Sequence, residues 1–209
     1  MSQLKLTADG GGGTVAIKAP ASTTGNAAIE LTVPSTASDT LDSLKRTGNI
    51  LQVVHIDKND FFSTTSTSFT DITGLTANIT PTSASNYILV DFKCTCGGGD
   101  NLYGTLRIQR LIAGGSYGNP SVITPSSQNS DACHSGADND VSYGQYKTTQ
   151  RGACIKDQPN TTSQVSYKIQ VRSQSTGFVL NRTGYANGGG DAGEQAQGIS
   201  SITLMEVAA

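Results

Sequence analysis

Cys94, Cys96, Cys133, His134 and Cys154 together offer five sulfur or imidazole donors that a transition metal would use. Thiolate and imidazole ligands suit zinc. The same Cys94-Thr-Cys96 spacing also continues one face of a strand, and free cysteine is among the most buried residue types. Core packing is therefore the expectation, with a disulfide such as Cys133 to Cys154 and zinc as the alternatives. A Cys94–Cys96 bridge is disfavoured, because same-face strand neighbours lie near the outer limit of disulfide geometry. No metal site is expected.

Hydrolysis of a glycan would need paired carboxylates. Asp131, Asp138 and Asp140 cluster in the chain with His134 beside them, but all sit among turn-forming residues, where aspartate is commonplace. Asp138-Asn-Asp140 lacks the closing glutamate of a calcium loop. Gly10–Gly13 lacks the Gly-Lys-Ser/Thr ending and the helix of a phosphate loop. His55, between Val54 and Ile56, reads as a satisfied strand histidine. The expectation is no catalytic residue, no cofactor and no enzyme. Tyr103, Tyr117, Tyr143, Tyr146 and Tyr185 fall in or near Ser/Gly/Asn-rich loops, where tyrosine makes an adaptable contact surface. Ordinary turn packing is the alternative.

The elements that would position these groups are strands. Hydrophobic residues make up 35% of the 209 residues and charged residues 14%, with 24 glycines and no tryptophan. Short β-branched runs alternate with Gly, Ser and Asn turns, which marks a β-rich chain. No window holds a helical apolar period. The clearest strand covers 86–96, with Ile88, Val90, Phe92, Cys94 and Cys96 on one face. Val165, Tyr167, Ile169 and Val171 alternate in the same way. The apolar terminal stretch 199–207 reads as a central strand. Ile50–Ile56, with little polar relief, reads as a strand buried on both faces. Residues 177–183 and 102–112 give further strands, the latter with Leu102, Leu106, Ile108 and Ile112 inward. The polar stretch 113–150 reads as loops with two short strands at most. About eight strands joined by Gly/Pro turns predict an all-β fold, a β-sandwich or jelly roll over 47–209.

Residues 1–46 differ. Leu4 with Leu6, Val15 with Ile17, and Ile29 with Leu31 and Val33 alternate on three short strand pieces between Gly-, Pro- and Ser-rich loops. Seven apolar residues at about 1.5–3 kcal/mol each do not offset backbone ordering at about 1–2 kcal/mol per residue. This segment should order only against other copies or another protein. It is the expected oligomerisation and attachment segment, with a flexible tail as the alternative. A net charge of −2 without a basic cluster argues against a nucleic-acid partner. No apolar run is long enough to cross a membrane as a helix, so no membrane insertion is expected. The N-terminus lacks the pattern of a signal peptide, so synthesis in a cytoplasm without export is expected.

Several stretches resemble a known family. They are Gly48-Asn-Ile-Leu-Gln-Val-Val54, Phe62-Ser-Thr-Thr-Ser-Thr-Ser-Phe-Thr-Asp-Ile-Thr-Gly-Leu75, Ile79-Thr-Pro-Thr-Ser-Ala-Ser85, Asn181-Arg-Thr183 and Ile199-Ser-Ser-Ile-Thr-Leu-Met-Glu206, with Leu-Lys-Leu, Val-Ala-Ile-Lys-Ala-Pro and Ile-Glu-Leu-Thr-Val-Pro in the leader. Together they resemble phage tail-fibre-like and virion structural proteins of aquatic-bacterium phages. The resemblance covers most of 1–92 and 156–209 and leaves 97–155 unmatched. It implies a homotrimeric structural protein of a virion assembled in the host cytoplasm, a tail fibre, head fibre or capsid decoration contacting other virion proteins. The alternative is a receptor-binding module for host cell-surface polysaccharide, suggested by the polar loops 113–150 and 187–198.

Overall fold

A computed structural model describes residues 3–7, 14–18, 47–98, 102–121, 134–138, 148–173, 177–183 and 197–209. The chain divides into two compact units, Met1–Asp42 and Ser43–Ala209. In the first, β1 (Gln3–Thr7) pairs antiparallel with β2 (Thr14–Lys18), with Leu4 opposite Ile17 and Leu6 opposite Val15. Ile29, Leu31 and Val33 lie outside the described residues.

The second unit holds β3 (Ile50–Lys58), β4 (Phe62–Thr64), β5 (Thr70–Ile79), β6 (Tyr87–Gly98), β7 (Leu102–Ile112), β8 (His134–Asp138), β9 (Thr148–Asp157), β10 (Val165–Ser173), β11 (Phe178–Leu180) and β12 (Ser200–Val207). All of their pairings are antiparallel. Two sheets result. One carries β3-β12-β6-β9, with β11 continuing along the edge of β6 where β12 leaves it, and β4 beyond β11. The other runs β5-β10-β7-β8. Setting β4 and β11 aside, the remaining strands in chain order fall into sheets of first-eighth-third-sixth and second-seventh-fourth-fifth. That is the strand order of an eight-stranded jelly roll, and it is the all-β fold expected from the turn spacing.

The inner faces follow the alternation. Ile88, Val90, Phe92, Cys94 and Cys96 of β6 are fully buried, as are Val165, Tyr167, Ile169 and Val171 of β10 and Ile202 and Leu204 of β12. With Ile72 and Leu75 of β5 and Leu106 and Ile108 of β7 they form one continuous core between the sheets. Each such side chain contributes roughly 1.5–3 kcal/mol. β12 is central, as expected of an apolar terminal strand. Leu102 lies on β7, but its side chain is outside the described set; Ile112 is only partly buried.

β3 departs from expectation. It is the outer strand of its sheet, and Ile50 and Val53 are 55% and 56% exposed. One of its faces meets the core through Val54 and Ile56, and among the described residues no strand lies across the other. β9 was hidden in the polar region. It runs the length of β6, and two of its core-facing positions are Arg151 and Asp157, which breaks the apolar alternation. Its Gly152 is obligatory: a Cβ there would sit 2.1 Å from the carbonyl oxygen of Phe92.

Candidate functional site

Strand pairing sorts the chemistry-bearing residues by face. Cys94 and Cys96 point inward from β6, while Cys154 sits opposite Asp91 on the outer side of the same sheet. The three thiols among the described residues therefore do not converge on one metal ion. Burial pushes the Cys96 thiol up to about 12 against the opposing pull of the Arg151 charge, so it stays protonated and is a poor ligand. Cys154 opens on a shallow groove of about 330 Å³ that Asp91, Lys93, Gln150 and Gly152 also line. Its pKa is raised, by burial and by Asp91, which works against a reactive thiolate. Cys133, Asp131, Asp140 and Gly10–Gly13 lie outside the described residues, and His134 and Asp138 are the two ends of β8. His55 is exposed on β3, with Nδ1 2.7 Å from Thr203 Oγ1 and Nε2 2.9 Å from Asp57 Oδ1.

The buried polar groups that the sequence reading missed are structural in geometry. Asp157 is fully buried at the end of β9. It accepts from Arg110 Nη1 at 2.9 Å, Tyr167 Oη at 2.7 Å, and Ser121 N and Oγ at 2.9 Å each. Glu206 is fully buried on β12 and accepts from Thr82 N at 2.7 Å, Thr82 Oγ1 at 2.8 Å, Asn86 Nδ2 at 2.7 Å and Gln52 Nε2. Asn181, a left-handed residue with φ 63°, joins four strand ends. Its Nδ2 donates to the carbonyls of Lys58 and Asp60, its Oδ1 accepts from Ser200 Oγ, and its backbone N–H bonds Thr95.

The outer face of the β5-β10-β7 layer is different. Across it, Lys168 lies between Thr76 and Gln109, Gln170 between Asp71 and Arg107, and Arg172 opposite Thr105. Phe69, just before β5, lies beneath two guanidinium groups, Arg107 at 4.0 Å and Arg172 at 5.1 Å from the ring centroid. Arg107 Nε donates to Gln170 Oε1 at 2.6 Å, Gln170 Nε2 donates to Asp71 Oδ1, and Lys168 Nζ is 2.8 Å from Asp71 Oδ1. Burial alone would raise the Asp71 pKa; the bonds from Lys168 and Gln170 outweigh it and hold the carboxyl below its ordinary value. Lys168 also lies 3.9 Å from the centroid of the Tyr117 ring, which is 40% exposed. Of the tyrosines expected as contact residues, Tyr117 is thus placed on this face. Tyr103 lies within β7, its side chain outside the described set, and Tyr143, Tyr146 and Tyr185 are outside the described residues. Lys168, Gln170 and Arg172 take the positions that alternate with the inward Tyr167, Ile169 and Val171, whereas the place of Phe69 is set by a loop.

No family model matches this chain, and no curated protein matches it. Among solved structures it is similar to a chain of the infectious bursal disease virus Gx strain, at 15% identity over 98% of this chain and 50% of that one, with a TM-score of 0.34. A chain of the Gt strain of that virus gives 13% identity over 94% of this chain and 45% of that one, with a TM-score of 0.36. The infectious bursal disease virus VP2 subviral particle gives 15% over 84% and 46%, with a TM-score of 0.33. This chain spans about half the length of the chains it matches. Likeness at this level carries no argument for function, and the fold assignment rests on the strand order described above.

Proposed function

We propose that this chain is a non-catalytic structural subunit of a bacteriophage virion, a trimeric fibre-type or decoration-type protein. The observation that carries the reading is the jelly-roll strand order of Ser43–Ala209, in which the buried Asp157, Glu206 and Asn181 are held by contacts between strands and their connections. Jelly rolls build viral capsid domains as well as lectins, and a fold alone does not decide between them. The resemblance of the framework stretches to virion structural proteins favours the particle.

The leader supports the trimer. A two-stranded hairpin such as β1–β2 is marginal in water without a further layer. Three copies related by a rotation axis would each bury the stripe formed by Leu4, Leu6, Val15, Ile17, Ile29, Leu31 and Val33, and closed symmetry leaves no open aggregating surface. Residues 1–40, which hold the whole stripe, carry only Lys5, Asp9, Lys18, Glu30 and Asp39 as charges, so association should be nearly independent of salt. The test is deletion of residues 1–46 in the phage, with antibody labelling of particles by electron microscopy. The expected result is a folded protein missing from otherwise intact particles. Normal incorporation of the truncated chain would overturn the role given to the leader, and failure of antibodies against the full chain to label wild-type particles would overturn the virion assignment.

A further inference from the structure

We infer that the outer face of the β3-β12-β6-β9 sheet, centred on Val53, Met205 and Leu89, is a contact surface for a second copy of this chain. The inference rests on the leader-joined trimer proposed above and names where, within it, the jelly rolls touch.

Three observations converge. The first is an asymmetry between the two outer faces of the sandwich. On β10 and β7 the outward Ser166, Gln170, Thr105 and Gln109 are all buried, so that face is covered within the chain. On the other sheet, none of the outward positions over 53–57 of β3, 201–205 of β12 or 87–93 of β6 is buried. The second is what stands on the open face. Val53, Met205 and Leu89 lie side by side in one register row. The row ends on Lys156 of β9, whose Nζ is 4.1 Å from the centroid of the Tyr87 ring. An outer strand is ordinarily guarded by exposed lysine or proline. On β3 the guard is missing: Ile50 and Val53 are more than half exposed, and the strand's one lysine, Lys58, is buried. Aliphatic side chains left in water along such a strand are a site of association. The third is charge. Among the described residues the face sets Asp57 and Asp91 against Lys93 and Lys156. Asp57 already meets His55 at 2.9 Å, and Asp91 meets Lys93 at 3.7 Å. A face with no excess of either sign suits neither a polyanion nor a polycation. It suits a partner surface that is balanced in the same way, and its own copy is one.

Size decides which partner can use this row. A lasting pair of proteins needs about 800 Å² from each side, and three aliphatic side chains with one ring beside them fall well short of that. A contact so small, with a Kd on the order of 0.1 mM, recruits nothing from micromolar solution. A copy joined through the leader is already present at an effective concentration of about 1 mM. At that ratio the contact is closed about nine-tenths of the time in the trimer and almost never between separate chains. The surface therefore adds no oligomer beyond the one the leader makes.

The experiment is peroxide oxidation of the full-length protein, with sedimentation of the same samples. Met205 sits in the middle of the row, half-buried in the single chain, and Met1 is the only other methionine and gives the reference rate by mass spectrometry. In the wild-type trimer Met205 should oxidise about tenfold more slowly than in the full chain carrying Ile29→Asp and Leu31→Asp, which leave the leader unable to join copies. Val53→Lys with Leu89→Lys, both on outward positions, should speed Met205 oxidation by a similar factor while the protein still sediments as a trimer. If the lysine variant does not fold, the leader variant, whose substitutions lie outside the sandwich, decides alone. A wild-type trimer in which Met205 oxidises as fast as in the variants overturns the inference and leaves the trimer standing. A wild-type chain that sediments as a monomer overturns both.

Discussion

Asp157 and Glu206 flank Ile88 in one row across β9, β6 and β12, and both carboxylates are fully buried, yet they are held by opposite means. Asp157 belongs to one sheet and takes its donors from the other: Arg110 of β7 and Tyr167 of β10, with Ser121 closing the shell. It is a charged rivet between the two layers. The partners of Glu206 among the described residues are all neutral. It is held by Gln52 of the neighbouring strand and by Thr82 and Asn86 of the β5–β6 connection, so it pins a loop to its own sheet. The pair teaches that a buried carboxylate can be held either by donors from the facing sheet, a guanidinium among them, or by neutral donors alone. The two solutions should fail differently.

The largest expected effect is at the rivet. Asp157→Ala leaves the Arg110 guanidinium, 19% exposed, and the Tyr167 hydroxyl without their acceptor. Removing one partner of a buried ion pair costs about 3–5 kcal/mol. Urea denaturation should show that loss, and a loss below about 1 kcal/mol would mean the contact is not a sheet-to-sheet tie.

Glu206→Gln should cost less, on the order of 1–3 kcal/mol, because the new amide sets one N–H against the donors of Asn86, Thr82 or Gln52. It should also change the acid limb. Burial by itself would raise the Glu206 pKa, but the bonds from Asn86, Gln52 and Thr82 outweigh it and leave the pKa below the ordinary 4.5. The unfolded chain therefore takes up the proton first, so Glu206 stabilises the fold fully above pH 4.5 and progressively less as pH falls through its lowered folded value. The stability difference between wild type and Glu206→Gln, followed from pH 7 downward, should begin to shrink near pH 4.5 and level off below the lowered folded value. A difference constant down to about pH 2 would contradict the ionised state.

The smallest effect belongs to the exposed member of the comparison. Asp71, whose side chain is 53% exposed, pairs with Lys168 on the outer face. Asp71→Asn should alter stability by less than about 1 kcal/mol, as expected of a surface pair. A loss as large as that of Asp157→Ala would mean that exposure is a poor guide to what holds this fold.

The strands whose inner faces are uniformly apolar were legible in the sequence. β6 and β10 alternate without interruption, and every inward residue of those runs is buried. The terminal strand was legible too, since Ile202 and Leu204 mark its inner face. What hid β9 was the same chemistry that makes the row informative: Arg151 and Asp157 occupy inward positions because their partners, Gly104 and Arg110, arrive from a distant strand. A periodicity argument weighs one strand at a time and cannot supply those partners. β3 was misread for the converse reason. Its valines and isoleucines look two-sided, but an outer strand needs only one buried face, and Val53 faces outward. The outer face of β5-β10-β7 was half legible, because Lys168, Gln170 and Arg172 alternate with buried residues, while Phe69, whose ring lies under Arg107, comes from a segment with no pattern of its own.

The central claim is that Ser43–Ala209 is a self-sufficient jelly roll and that the leader exists to join copies. Sedimentation equilibrium at micromolar concentration, run on the full chain and on the chain lacking residues 1–46, tests it most directly. The account predicts three times the chain mass for the full protein, unchanged by salt, and a folded monomer for the truncated one. A full chain that sediments as a monomer, or a truncated chain that unfolds or remains trimeric, would contradict it.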